Sequence, residues 1–228
     1  MLMKTPSYFS KWFEGWPELV CLDLDGTLVD SVPDIAGAVD AFLAEFGAPL
    51  AGEERVRGWV GFGSVKLIEQ ALEWAQVDPA KREEAYRIFL THYHAHLIDG
   101  TKLYPNVKAL LKALKHNGVP VALITNKPSA FVKPMLDHFE LTEQFGWLLG
   151  GDTLEEKKPS AMPLLHCSES IEALPENCLM IGDSITDFKA ANNAGFKCAL
   201  VTYGYHQGVD LAGLGADAII DDLAELLV

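Results

Sequence analysis

The sequence predicts an α/β fold, a doubly wound parallel sheet interrupted after its first strand by an all-α insertion, and three patterns predict it. Six apolar runs bounded by turn residues have the length of buried parallel strands. Helix-period segments separate most of them, the βαβ alternation that places helices on both faces of a sheet. One long stretch, from about Val32 to about Gly100, breaks the alternation with several helical patterns and no convincing strand.

In chain order, the opening MLMKTPSYFSKWFEGW contains Pro6 and no unbroken apolar stretch long enough for a signal peptide or a membrane span. Its Trp12, Phe13 and Trp16 are expected to pack as a flap on the domain. The first strand is expected over Glu18 to Leu22. Helices are then expected over Ile35 to Phe46, Glu53 to Val60, Ser64 to Trp74 and Ala80 to Leu97, a stretch too long for a connection and too helical for a loop. The chain is thus expected to divide into a core of residues 1–31 and 101–228 and a helical cap of residues 32–100. Strands are expected to resume over Val119 to Thr125, Trp147 to Leu149, Cys178 to Ile181, Cys198 to Val201 and Ala218 to Ile220. Helices over Pro105 to Asn117, Ala130 to Phe139, Ile185 to Ala194 and Asp222 to Leu227 alternate with most of them.

Composition narrows the partners. The 228 residues are 49% apolar, enough for a sizeable core. With 18 Lys and Arg against 32 Asp and Glu, the net charge of -14 repels polyanions. Nucleic acid is therefore not an expected partner, and a bound phosphate must be held by local groups. Cys21, Cys167, Cys178 and Cys198 show no CxxC spacing, and three of them, falling in apolar or helical runs, read as buried thiols suited to a reducing compartment. Together with the missing span, this leads us to expect a cytoplasmic protein with no membrane partner.

In open α/β sheets, ligands bind beyond the carboxyl ends of the strands. Three expected strand ends are polar: Asp23-Leu24-Asp25-Gly26-Thr27, Thr125-Asn126-Lys127, and Gly182-Asp183-Ser184-Ile185-Thr186-Asp187. Two carboxylates one residue apart point the same way, so one can ligate a hard cation while the other moves a proton. Taken singly, each feature has a plainer reading: an Asp- and Gly-rich turn, a strand-closing Thr125, a loop Lys158 beside Lys157, or Asp183 as the N-cap of the next helix.

Asp23-Leu24-Asp25-Gly26-Thr27-Leu28-Val29-Asp30-Ser31 resembles the first motif of the haloacid dehalogenase superfamily of phosphatases. Thr125, Lys158 before Pro159, and Gly182 to Asp187 resemble its second, third and fourth motifs, in order. The resemblance runs from about Glu18 to Val201 and implies a HAD-like Rossmannoid core with a helical cap. It implies that Asp23 is the nucleophile that forms an aspartyl phosphate and Asp25 the general acid and base. It also implies Mg²⁺ held by Asp23, the Asp25 carbonyl and Asp183, with Lys158 neutralising charge and Asp187 orienting metal-bound water or Lys158. Thr125 and the amides of Leu24 and Asn126 would grip phosphate oxygens. Dehalogenases and phosphonate-cleaving members lack an acid at the second aspartate, so Asp25 favours a leaving group that needs a proton.

Within the expected cap, Trp59-Val60-Gly61-Phe62-Gly63-Ser64 sets two glycines between helices, where backbone amides can approach an anion. Arg57 to Gly63, with Gly100-Thr101-Lys102-Leu103-Tyr104-Pro105, resembles bacterial phosphoglycolate phosphatases, although Phe62 stands where many members have a small polar residue. The resemblance implies a very small phosphorylated carboxylate as substrate, with Gly61 and Gly63 contacting it, and a place in carbohydrate metabolism. Arg55, Arg57 and Lys66 are available to meet a carboxylate, although helical faces also carry such residues for solubility. His92, His94 and His96, at i, i+2 and i+4, diverge around a helix and make a poor zinc set. The resulting expectation is a small phosphorylated metabolite as partner and a monomer or small homo-oligomer. Two alternatives stay open: a phosphomutase or broader sugar or nucleotide monophosphatase of the same superfamily, and a phosphate-sensing or partner-binding protein that shares the fold without turnover.

Overall fold

A computed structural model describes residues 5–228. Its centre is a six-stranded sheet, every neighbouring pair parallel, built from β1 (Leu19–Leu22), β4 (Val121–Ile124), β5 (Trp147–Leu149), β6 (Cys178–Gly182), β7 (Lys197–Val201) and β8 (Ala218–Ile220). The spatial order is β5-β4-β1-β6-β7-β8. The chain builds outward from β1 on one side, then returns to β1 and builds outward on the other. That reversal opens a crevice beside the carboxyl end of β1.

The strands are apolar on both faces because both faces are covered. Val20, Leu22, Val121, Leu123, Leu179 and Ile181 enter one buried cluster, and Leu19, Cys21, Ala122, Ile124, Cys178 and Met180 enter the other. Helices α6 (Val107–His116) and α7 (Ser129–His138) supply residues to the first, α8 (Met162–Glu169) and α9 (Ile185–Ala194) to the second. Truncating one such residue, as in Leu22→Ala, removes about 2–5 kcal/mol. The four free cysteines are all buried in the second layer.

A two-stranded antiparallel ribbon, β2 (Val29–Asp30) with β3 (Lys102–Leu103), stands apart from the sheet. Between its strands lie α2 (Val32–Glu45), α3 (Gly52–Arg57), α4 (Ser64–Trp74) and α5 (Arg82–Ala95). Their apolar faces, including Val39, Phe42, Ile68, Leu72 and Phe89, join the first core cluster. Asp34 clasps the exit of this insertion to its entry, accepting from the Gly100 amide at 2.7 Å, the Thr101 amide at 2.8 Å and the Thr101 hydroxyl at 2.5 Å.

Several local expectations shift. The ribbon was not visible in the sequence because two-residue strands carry no period. Helix α8 was not expected either. The segment after Asp222 is a 3-10 turn, Leu223–Leu227, closed by a capping box between Asp222 and Glu225. The N-terminal segment forms α1 (Ser7–Trp12), whose start meets the other terminus, the Ser7 amide donating to the Val228 carbonyl at 2.7 Å. Phe9 and Phe13 are buried there, and Trp16 packs on Phe9 at 5.3 Å. Among the described residues, no helix is long and apolar enough to cross a membrane.

Candidate active site

The ends of β1, β4 and β6 are neighbours in the sheet, so the three polar strand ends converge. Asp23 follows β1, Thr125 follows β4, and Asp183 follows β6. Asp187 arrives from the first turn of α9, where it closes a capping box with Ser184. Ser184, rather than Asp183, is therefore the cap, and Asp183 is left to face the site. Its oxygens accept from the Thr27 hydroxyl at 3.2 Å and the Tyr205 amide at 2.5 Å. Gly26 turns the chain with φ of 87°, and a Cβ there would lie 2.1 Å from Asp183 Oδ2, so both conformation and space require glycine.

One ammonium pairs with two of three clustered carboxylates. Lys158 Nζ stands 2.9 Å from Asp23 Oδ1 and 2.6 Å from Asp187 Oδ1, its side chain 1% exposed. Oxygens of Asp23, Asp183 and Asp187 gather within 4.8 Å of one another. Burial would push Lys158 down, but Asp187 and Asp23 outweigh it and hold the ammonium above its ordinary range. Burial pushes the Asp23 carboxyl up to about 7, Lys158 only partly offsetting it. Burial, then Asp187 and Asp23, drive Asp183 well above the usual carboxylate range. Three buried carboxylates against one lysine leave an excess of negative charge at a cluster of hard oxygen donors, which fits a divalent cation.

Asp25 faces elsewhere. Its carboxylate accepts from the Ser31 hydroxyl at 2.6 Å and from Lys127 Nζ at 2.9 and 3.1 Å. Lys127 also donates to the Tyr93 hydroxyl, which α5 brings in from the helical insertion. Lys127 is buried and Asp25 largely so, their side chains 3% and 10% exposed. The Leu24 amide donates to Asp23 Oδ1 at 2.7 Å and so orients that carboxylate. Thr125 is buried, its hydroxyl accepting from the Lys127 amide at 3.2 Å.

These groups border a cavity of about 50 Å³ lined by Asp23, Asp25, Gly61, Gly63, Thr125, Asn126 and Lys127, among others. Gly61 and Gly63 reach it from the insertion. Asn126 Nδ2 spans the gap, donating to the Gly61 carbonyl and the Lys158 carbonyl, each at 2.9 Å. Gln207 donates to the Val60 carbonyl alongside. The insertion thus packs against the loops at the strand ends.

The available cations of the insertion lie elsewhere. Arg55 sits over the Trp74 ring at 4.3 Å, Arg57 pairs with Asp30 at 3.2 Å, and Lys66 reaches Glu69 at 3.7 Å. Of the three histidines, His92 and His96 lie tilted against each other with ring centroids 4.6 Å apart, and His96 meets Asp99 at 2.7 Å. Sequence reasoning quoted Lys127 and Ser31 without giving either a role and passed over Tyr93 and Tyr205. Lys127 carried a signal, a lysine two residues beyond the hydroxyl that ends β4. Tyr93 and Tyr205 did not, because their partners are remote in sequence.

A profile of the haloacid dehalogenase-like hydrolases matches residues 20–201. The chain is 46% identical to phosphoglycolate phosphatase 1 of Pseudomonas aeruginosa, over 92% of this chain and 79% of that one. It is 42% identical to the phosphoglycolate phosphatase of Nitrosococcus oceani, over 92% and 95% of the two chains. The crystal structure of a predicted phosphoglycolate phosphatase from Haemophilus somnus superposes with a TM-score of 0.89 at 36% identity, covering 92% of this chain and 96% of that one. With the match running from β1 to the end of β7, the chain belongs to the haloacid dehalogenase-like hydrolases.

Proposed function

We propose that the protein is a Mg²⁺-dependent phosphatase that hydrolyses 2-phosphoglycolate to glycolate and phosphate. The observation that carries this reading is the cavity of about 50 Å³ between the Asp23 cluster and the insertion. At about 10–15 Å³ per water it has room for roughly four, which suits a small ester better than a large one. The relatives named phosphoglycolate phosphatase support the choice of ester.

In this reading residues 32–100 act as a cap and residues 1–31 with 101–228 as the core. The Asp23 carboxylate attacks phosphorus, the phosphorus–oxygen ester bond breaks, and Asp25 gives its proton to the departing oxygen. Water then attacks the aspartyl phosphate, Asp25 takes the water's proton, and Asp23 is regenerated. Thr125 and the amide of Asn126 hold phosphate oxygens, Leu24 keeps Asp23 oriented, and Gly61 and Gly63 close against the substrate. Lys158 neutralises charge as phosphate arrives, and Asp187 holds Lys158 in place. Asp23, Asp183 and the Asp25 carbonyl would hold Mg²⁺, which when bound supplies the remaining charge neutralisation. The protein works in the cytoplasm on a small metabolite, as a monomer or small homo-oligomer, its net charge of -14 disfavouring nucleic acid.

Phosphate release from a panel of small monoesters, with and without Mg²⁺ and for Asp23→Asn, tests the reading. A strong preference for 2-phosphoglycolate, lost on chelation and in the variant, supports it. A flat panel leaves only a general phosphatase, and isomerised sugar phosphate without free phosphate would identify a mutase.

A further inference from the structure

The cavity needs a partner for the end of the substrate that does not react. Among its described lining residues there is one cationic side chain, Lys127. The other walls beyond the two aspartates are Ile35, Val60, Leu67 and Phe89, the backbone of the glycines, and uncharged polar groups. Lys158 is committed between Asp23 and Asp187. Arg55, Arg57 and Lys66 each have a partner outside the cavity. Lys157, whose Nζ lies 2.7 Å from where a Cβ on Gly63 would stand, is exposed and is not among the residues lining the cavity.

We propose that Lys127 binds the carboxylate of the substrate and so selects phosphorylated acids over neutral phosphate esters of the same size. This rests on the phosphatase reading above. The ammonium has three N–H groups. One meets the Tyr93 hydroxyl, and a second can be shared by the two Asp25 oxygens, which leaves a third for a ligand. The insertion and the core hold this ammonium from two sides, so it is positioned before substrate arrives. A carboxylate entering the cavity leaves water and finds there one ammonium N–H to accept from, beside the Asp25 pair. A neutral ester gains nothing there.

The experiment compares kcat/KM for 2-phosphoglycolate with that for ethyl phosphate, which has the same two-carbon chain without the carboxylate. It uses the Mg²⁺-loaded full-length protein, Lys127→Met, Lys127→Arg and Lys157→Met. The wild type is expected to prefer 2-phosphoglycolate, and Lys127→Met to reduce that preference about 100-fold, chiefly through KM for the acid. Lys127→Arg, which keeps the charge, is expected to retain part of the preference, and Lys157→Met all of it. Loss of both substrates by the same factor in Lys127→Met overturns the proposal, because Lys127 would then act only through Asp25. Equal kcat/KM for the two esters in the wild type overturns it with no variant needed, should Lys127→Met not fold. Release of no phosphate from any ester by the wild type is different, since it sinks the phosphatase reading and the proposal with it.

Discussion

Lys158 and Asp187 meet at 2.6 Å with both side chains sealed from solvent, although 29 residues separate them in sequence. The same ammonium reaches Asp23, so one buried cation joins the proposed nucleophile to the start of α9. Removing one partner of a buried ion pair leaves the other charge unmatched, a loss of about 3–5 kcal/mol. Lys158→Met is expected to lower the stability of the metal-free protein by about that amount and to abolish turnover. Urea unfolding read by fluorescence checks it, and an unchanged midpoint would show that the cluster sheds its charge by taking up protons.

Asp23→Asn is expected to separate chemistry from stability. It removes the attacking carboxylate, so turnover falls by about 10³-fold or more. It also removes one of three crowded carboxylates, so the metal-free protein is expected to melt at the same temperature or higher. Activity and thermal melts of one preparation test both halves, and a large drop in melting temperature would contradict the electrostatic account.

The carboxylate cluster predicts how metal and pH trade off. Burial raises Asp23 from 3.8 to about 7, so between about pH 4 and pH 7 the folded protein keeps a proton that the unfolded chain has lost. Stability falls with rising pH wherever the folded state binds more protons, so metal-free protein loses stability across that window. A divalent cation displaces those protons. Its stabilising shift in melting temperature is therefore expected to grow from pH 5 to pH 8. Melts with Mg²⁺ and with chelator at each pH decide it, and a shift largest at pH 5 would refute it.

Gly26→Ala is expected to damage the site through Asp183. The left-handed backbone costs about 1–3 kcal/mol for a residue with a side chain, and the new methyl would collide with Asp183 Oδ2 at 2.1 Å. Weaker binding of Mg²⁺ by titration calorimetry, beside a lowered melting temperature, is the expected pair of results. Gly15→Ala, with nothing within 4 Å and no left-handed backbone, is the control expected to change neither.

By itself the sequence determined the sheet and its chemistry-bearing edge. Buried parallel strands are apolar on both faces and bounded by turn residues, so all six could be read locally, β5 and β8 to the residue. The polar residues at the ends of β1, β4 and β6 were legible for the same reason, since a strand end is where apolar patterning stops. Helix α4 was likewise read end to end. Tertiary structure alone decided what those residues face. Asp25 turns from the acidic cluster to Lys127 because β4 lies beside β1 and sets the two loops against each other. Tyr93 reaches the same lysine from the helical insertion, and Asp34 ties together two segments 66 residues apart. Local periodicity reports which face of an element is buried. It carries no information about which distant side chain fills the space opposite, and in this site that is what sets the charges.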